Sequence, residues 1–167
     1  MRRIVLLGLL FGAVLLVGGL PALAQGSKAE VFLGGSFVRN NSTNYGGWNT
    51  SITGNVLPWL GVTADFSGHY NSPLHIYTYT LGPRLAVPQD SGLVPFTQAT
   101  FGVARLGAFG NNASGFGAYI GGGLDYIARE HIAVRLMQID AMLTRISGSN
   151  SSGTRLSFGV VFRLGRR

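Results

Sequence analysis

Eight stretches of alternating side chains constrain this chain more than any other feature of its sequence. In each, polar or small residues tend to occupy every second position and apolar residues the positions between, which is the period of a β-strand with two environments. The stretches are 11–14 residues long, whereas ordinary strands have about 5–6 residues and tilted membrane strands about 9–11. The predicted strands are residues 28–38, 46–56, 60–70, 75–87, 94–106, 115–127, 131–144 and 153–164.

The last stretch shows the alternation most clearly. One face carries Leu156, Phe158, Val160, Phe162 and Leu164. The other face carries Arg155, Ser157, Gly159, Val161 and Arg163. Lipid on the outside and a crowded polar lumen on the inside would supply these two environments. The pattern therefore predicts an all-β fold, an eight-stranded antiparallel up-and-down transmembrane β-barrel.

Two stretches depart from simple alternation. In the first, Val31, Phe32 and Leu33 are consecutive apolar residues, so its faces are ambiguous. In the seventh, Arg135 has the opposite parity to Gln138 and Asp140. If all three polar side chains face inward, the strand needs a β-bulge near Leu136 and Met137.

The composition agrees with a wall that faces lipid. Only 11% of residues are charged, whereas soluble domains carry about a quarter. Cysteine is absent, which excludes disulfides and thiolate metal sites. Backbone groups in hydrocarbon must be paired, so the strands should close and leave no edge. An even strand number returns both ends of the mature chain to the periplasm.

The N-terminal residues 1–24 predict a cleaved signal peptide. Arg2 and Arg3 precede an apolar run, and Ala22-Leu23-Ala24 resembles a cleavage site. An uncleaved membrane anchor is the alternative. The mature barrel domain would be residues 25–167, exported through the periplasm. The net charge of +7 comes from scattered basic residues, so nucleic-acid binding is not expected.

The connections between stretches alternate in character. Polar loops at residues 40–44, 71–73, 107–114 and 147–152 would lie outside the cell, and the other turns in the periplasm. Aromatic side chains are expected at the two membrane interfaces. The outer set is Tyr45, Trp48, Tyr70, Tyr77 and Phe116. The periplasmic set is Trp59, Phe96, Tyr126 and Phe162.

Charged residues on the inward faces predict a polar network in the lumen. Eight strands leave an interior just wide enough to be filled by side chains, and buried charges must be paired. We therefore expect internal ion pairs that plug the lumen rather than a wide pore. The predicted network is Asp65, His69, Arg84, Gln98, Asp125, Arg135, Gln138, Asp140, Arg155 and Arg163.

The C-terminal strand also carries a resemblance. Residues 157–164 resemble the β-signal of outer-membrane proteins, with Ser157, Gly159, Phe162 and Leu164 at its defining positions. Together with the strands around residues 60–66 and 121–125, the chain is similar to small OmpA-like, opacity-type barrels of the porin family. The resemblance implies an outer-membrane location, contact with lipid and lipopolysaccharide, and insertion by the barrel-assembly machinery. The chain departs from the signal by ending in Gly165-Arg166-Arg167.

We expect a non-enzymatic, monomeric barrel with a structural, envelope or surface-contact role. A small-solute pore, an outer-membrane lipid-modifying enzyme and a soluble barrel with an apolar lumen are the alternatives. Asp65 and His69 share a face, but no G-x-S-x-G motif marks a nucleophilic serine. The three histidines, His69, His75 and His131, lie on separate stretches, so neither a metal site nor a cofactor is expected.

Overall fold

The computed structural model describes residues 27–40, 43–72, 74–108, 111–146 and 148–166, which form a closed antiparallel β-barrel. Every strand pairs with its sequence neighbours, and β8 pairs with β1. The predicted eight-stranded barrel is therefore confirmed. The strands are β1 (Ser27–Asn40), β2 (Thr43–Asn55), β3 (Leu60–Asn71), β4 (Leu74–Ala86), β5 (Leu93–Ala108), β6 (Asn111–Arg129), β7 (Ile132–Ile146) and β8 (Ser149–Arg166).

The predicted signal peptide, residues 1–24, lies outside the described residues. Within the described ranges, no helix has the length and apolar character needed to cross a bilayer.

The two ends of the barrel differ in how far the strands extend. We call the end where β1 begins and β8 ends the base, and the opposite end the rim. At the rim, β5 pairs with β6 as far as Ala108 and Asn111, and β7 pairs with β8 as far as Ile146 and Ser149. The prediction of polar loops at residues 107–114 and 147–152 is therefore largely wrong. Backbone pairing between two strands does not need alternating polar and apolar side chains where water contacts both faces of the sheet. The polar residues at the rim are therefore still part of strands.

The two faces of the wall have opposite polarity. Phe158 is 48% exposed on the outside, whereas Arg155 is fully buried inside. The ambiguous first stretch follows the same rule, since Phe32 points inward and Leu33 outward. This arrangement excludes the soluble alternative with an apolar lumen, because the large outward-facing side chains are apolar and the charges are enclosed.

The irregularity in β7 lies where it is predicted. From Arg135 to Gln138 β7 advances three residues, while its partner β8 advances two. Leu136 and Met137 both lie on the outside, at 51% and 45% exposure. The bulge is therefore confirmed, and it brings Arg135 and Gln138 onto the inner face.

Two aromatic side chains are not at the interfaces where they are expected. Tyr45 and Phe96 are buried inside the barrel. Each lies an even number of positions from the inward-pointing polar residues of its own strand, so its side chain points inward as well. Trp48, Tyr70 and Phe116 are exposed on the outer wall.

The seam between β1 and β8 is closed by two small residues. Gly34 and Gly159 lie opposite each other on the inner face. A Cβ atom on Gly34 would overlap the backbone carbonyl of Phe158, and one on Gly159 would overlap that of Leu33. The curvature at the seam therefore depends on glycine at both positions.

The register of this seam gives a prediction. Ser36 and Ser157 are partners across it, with their hydroxyl oxygens 3.0 Å apart. Because the chain has no cysteine, the double variant Ser36→Cys/Ser157→Cys should form one disulfide between β1 and β8. Faster migration of the unfolded, non-reduced protein on gels would report it. Ser36→Cys/Ser51→Cys is the control, since Ser51 pairs with Phe32 and lies four positions out of register. Cross-linking of the control alone would contradict the closed register.

Candidate functional site

The predicted lumen residues lie where the inward parity places them. Nine of the ten are at most 4% exposed, and Arg163 is half-buried at the base. Most of them form two clusters of charges inside the barrel, an upper cluster nearer the rim and a lower cluster nearer the base.

The upper cluster is organised by Arg155 of β8. Its guanidinium donates to Asp65 at 2.7 and 3.1 Å and to Asp140 at 2.8 and 3.0 Å. Asn49 donates a further hydrogen bond to Asp65 at 3.0 Å. One cation thus joins β8 to β3 and β7, and hydrogen bonds between charged groups are the strong ones.

The lower cluster is organised by Asp125 of β6. Its carboxylate accepts hydrogen bonds from Arg135 at 2.8 and 3.0 Å and from Arg84 at 2.7 Å. Arg84 also donates to Glu30 at 3.0 Å. Arg163 approaches Glu30 only to 3.9 Å, so it lies at the edge of the network.

Gln138 connects the two clusters. Its amide oxygen accepts a hydrogen bond from Arg135 at 2.6 Å, and its amide nitrogen donates to Asp140 at 2.7 Å. The neutral amide therefore joins one cationic and one anionic group. A continuous chain of hydrogen bonds runs from Glu30 near the base to Asp65 in the upper half of the lumen.

Aromatic rings cover the flat faces of the buried guanidinium groups. Arg135 lies between Phe32 and Phe96, at 4.2 and 4.5 Å from the ring centroids. Arg155 lies 3.9 Å from the ring centroid of Tyr119. Such cation–π contacts strengthen when they are desolvated.

Apolar side chains pack in the lumen on both sides of the upper cluster. Toward the rim, Val38, Tyr45, Ile76, Tyr119 and Met142 pack together. Toward the base, Phe32, Ala133 and Val161 pack together. The upper cluster therefore lies between two apolar layers, whereas Glu30 and Arg163 lie on the base side of Phe32 and Val161.

Two predicted residues lie outside the main chain of ion pairs. His69 contacts Ser36, with Nε2 at 2.9 Å from the hydroxyl oxygen. Gln98 is buried, but its amide nitrogen makes no hydrogen bond among the described residues.

The sequence analysis missed Glu30, Asn49 and the three rings that cover the arginines. Glu30 lies an even number of positions from Phe32 and Ser36, so alternation places all three side chains on one face of β1. The consecutive apolar residues of that stretch obscured this alternation. No local signal marks Phe32, Phe96 or Tyr119, because their partners lie on other strands.

Histidine and serine in the lumen have only part of a catalytic geometry. Ser36 and His69 are within hydrogen-bonding distance, but His69 Nδ1 has no partner in the described structure. The Asp65 carboxylate that could orient the imidazole is engaged by Arg155 and Asn49. Among the described residues, no group of three His, Asp or Glu side chains is placed to hold a metal ion.

Removal of the central cation should destabilise the barrel. Arg155→Leu leaves Asp65 and Asp140 facing each other in the lumen, so we expect a loss of about 3–5 kcal/mol in the free energy of unfolding. Urea unfolding of the protein folded in lipid vesicles measures this loss. Arg39→Leu is the matched control, since Arg39 is exposed at the rim and should change stability by less than about 1 kcal/mol. Equal, small effects of both variants would contradict a structural role for the Arg155 ion pairs.

Comparisons with known proteins identify the fold. No protein-family model and no curated protein matches the sequence. Among solved structures, neisserial surface protein A matches with a TM-score of 0.64 and 13% identity, over 81% of this chain and 96% of that one. The N-terminal β-barrel domain of Pseudomonas aeruginosa OprF matches with a TM-score of 0.58 and 15% identity, over 83% and 100%. OprG of the same organism, an outer-membrane protein, matches with a TM-score of 0.53 and 11% identity, over 84% and 97%. This chain therefore has the fold of the small, OmpA-like, eight-stranded outer-membrane β-barrels.

Proposed function

We propose that this protein is a non-enzymatic integral outer-membrane barrel with a structural, envelope or surface-contact role and a lumen plugged by its own side chains. The observation that carries the proposal is the polarity of the wall. Large apolar side chains such as Leu81 and Ile120 are 57% and 50% exposed, while Arg84, Arg135 and Arg155 are buried. Water would favour the opposite arrangement, whereas a bilayer favours this one.

The dimensions of the wall support a membrane location. The shortest strand has 12 residues and the longest 19, which exceeds the about 9–11 that a tilted strand needs to cross. Exposed aromatic rings lie toward both ends, with Trp48 near the rim and Trp59 near the base. The structural neighbours are outer-membrane proteins. Export through the periplasm depends on the signal peptide predicted at residues 1–24.

The contents of the lumen support a closed barrel rather than a small-solute pore. The ion pairs of Arg155 and Asp125 span the interior, and an apolar layer covers them on the rim side. A water-filled path would need these pairs to separate, which exposes unpaired charges at low dielectric. The name of one neighbour, a surface protein, is consistent with a role at the cell surface.

The partners that follow from this proposal are lipid, lipopolysaccharide and the barrel-assembly machinery. Phe162 and Leu164 of the proposed β-signal are exposed on the outer wall, where a partner in the membrane can contact them. Ser157 and Gly159 lie inside the seam with β1. The proposed barrel is a monomer and requires no cofactor.

An enzymatic role finds little support in the Ser36 and His69 pair. Both side chains are at most 1% exposed, and apolar residues cover them on the rim side. A lipid substrate on the outer wall would have no route to this hydroxyl.

Expression in a Gram-negative host tests the proposal. The mature protein should fractionate with outer membranes, and the unboiled band should migrate differently from the boiled one because a closed barrel resists detergent. In planar bilayers the folded protein should give a flat current trace, with a wide porin as the positive control. Recovery from the soluble periplasm would refute the membrane location. A steady conductance would refute the plugged lumen alone.

Depth-dependent substitution tests the lipid-facing wall. Ile120 is the central residue of β6 and points outward, while Phe116 points outward nearer the rim. Ile120→Arg should destabilise the folded protein in vesicles by about 2–4 kcal/mol, and Phe116→Arg by about 0–1 kcal/mol. Denaturant unfolding in the same vesicles measures both. Equal losses for the two variants would argue against a bilayer centred on Ile120.

A further inference from the structure

Acidic and basic side chains are separated between the inside and the outside of this barrel. The chain has six acidic residues. Glu30, Asp65, Asp125 and Asp140 take part in the lumen ion pairs. Asp90 and Glu130 lie in turns at the base. The outer wall near the rim therefore carries no carboxylate side chain.

Basic side chains occupy the outer wall where acidic ones are absent. Arg39, Arg105 and Arg145 are exposed there, each near the rim end of its strand. Because lumen ion pairs use the carboxylates, these three guanidinium groups face outward without a carboxylate from their own wall. An anion from outside the chain is the complementary partner.

One of these arginines lines a groove on the outer wall, which we call the Arg105 groove. It has a volume of about 390 Å³ and is formed by His75, Tyr77 and Tyr79 of β4, Arg105 and Gly107 of β5, and Asn112 and Ser114 of β6. Glycine at 107 has a specific role, since a Cβ atom there would overlap the imidazole of His75. The His75 ring therefore lies over the backbone of Gly107 and forms part of the groove's lining.

The lining of the Arg105 groove is rich in hydrogen-bond donors. Arg105 lies over the ring of Tyr79, with the guanidinium carbon 5.9 Å from its centroid. Ser114 is its register partner on β6. The Tyr77 hydroxyl accepts a hydrogen bond from Tyr70 at 3.2 Å, so its own hydrogen can be donated into the groove. Guanidinium, amide and hydroxyl donors together suit a phosphate.

The wall below the groove is apolar. Phe101 and Phe116 stack on the outside with their ring centroids 6.5 Å apart, and Val103 is exposed beside them. A ligand with a phosphate head and hydrocarbon chains would match both the groove and this wall. A soluble phosphate would match only the groove.

A second arginine lies on the other side of β6. Arg145 of β7 is the register partner of Phe116, and Arg105 of β5 is the register partner of Ser114. Strands are about 4.8 Å apart, so the two backbones are separated by roughly 10 Å across β6. Both long side chains can therefore engage one lipid head that carries more than one phosphate.

We propose that the Arg105 groove binds the phosphorylated head of an outer-leaflet glycolipid, whose acyl chains lie along Phe101 and Phe116. The inference rests on the proposed function, because it requires the rim to face the outer leaflet. It adds the place on the wall, the chemical group recognised and the residues that recognise it.

Native mass spectrometry of the folded protein in detergent, titrated with bisphosphorylated lipid A, tests the inference. Arg105→Gln should weaken binding about five- to tenfold. Tyr77→Phe, which keeps the ring and removes one donor, should weaken it about two- to fivefold. Dephosphorylated lipid A should bind the native protein about as weakly as lipid A binds the Arg105→Gln variant. Inorganic phosphate at the same concentration should not compete.

Two variants with the same charge change serve as controls. Arg39→Gln alters the rim on β1, on the opposite side of an eight-stranded barrel from β5, and Arg129→Gln alters the base end of β6. Both should keep the native affinity. If Arg39→Gln weakened lipid A binding as much as Arg105→Gln does, binding would depend on the overall charge of the rim, and the proposed groove would be wrong. If dephosphorylated lipid A bound as tightly as lipid A, the groove would not recognise phosphate. If inorganic phosphate competed with lipid A, the ligand would be a soluble phosphate rather than a lipid.

The heat-dependent gel shift separates this inference from the proposed function. A native protein that never folds into membranes contradicts the proposed function. A native protein that folds, and whose lipid affinity is unchanged by both Arg105→Gln and Tyr77→Phe, contradicts the groove alone. Each variant is required to show the gel shift before its affinity is compared.

Discussion

The pairing of charges inside a closed wall is the constraint on which the rest of this structure depends. Arg155 holds two carboxylates from different strands, and Asp125 holds two arginines. Loss of one partner would leave a charge in a low-dielectric interior, which is costly. Because the partners come from β1, β3, β4, β6, β7 and β8, pairing also fixes how these strands lie around the barrel.

The bulge in β7 makes this pairing possible. With regular alternation, Arg135 would face the membrane whenever Gln138 and Asp140 face the lumen. The extra residue places Arg135 inside, where it reaches Asp125 and meets the amide of Gln138. The same step puts Leu136 and Met137 side by side on the lipid face. One local irregularity thus satisfies both the polar interior and the apolar exterior.

If the lumen is plugged as we propose, the outer wall is the surface available for binding. The carboxylates on the membrane-spanning part of the strands point into the barrel and form ion pairs there, whereas the arginines near the rim point outward. The outer wall near the rim is therefore basic. The basic rim complements anionic lipid heads, and the Arg105 groove is the proposed place of contact.

The sequence by itself determined the eight strands except for their rim ends, most of their faces and the bulge, because a period of two residues is a local property that can be read along the chain. It also indicated which polar residues of the network point inward, apart from Glu30 and Asn49. Only the tertiary structure decided that Arg155 pairs with Asp65, ninety positions away, and that Phe96 covers Arg84. The Arg155–Asp65 contact crosses the lumen from β8 to β3, and the Arg84–Phe96 contact joins the neighbouring strands β4 and β5. Both depend on the stagger between strands, which no single strand records. The continuation of β5 and β6 past the apolar belt was likewise decided by backbone pairing rather than by side-chain pattern.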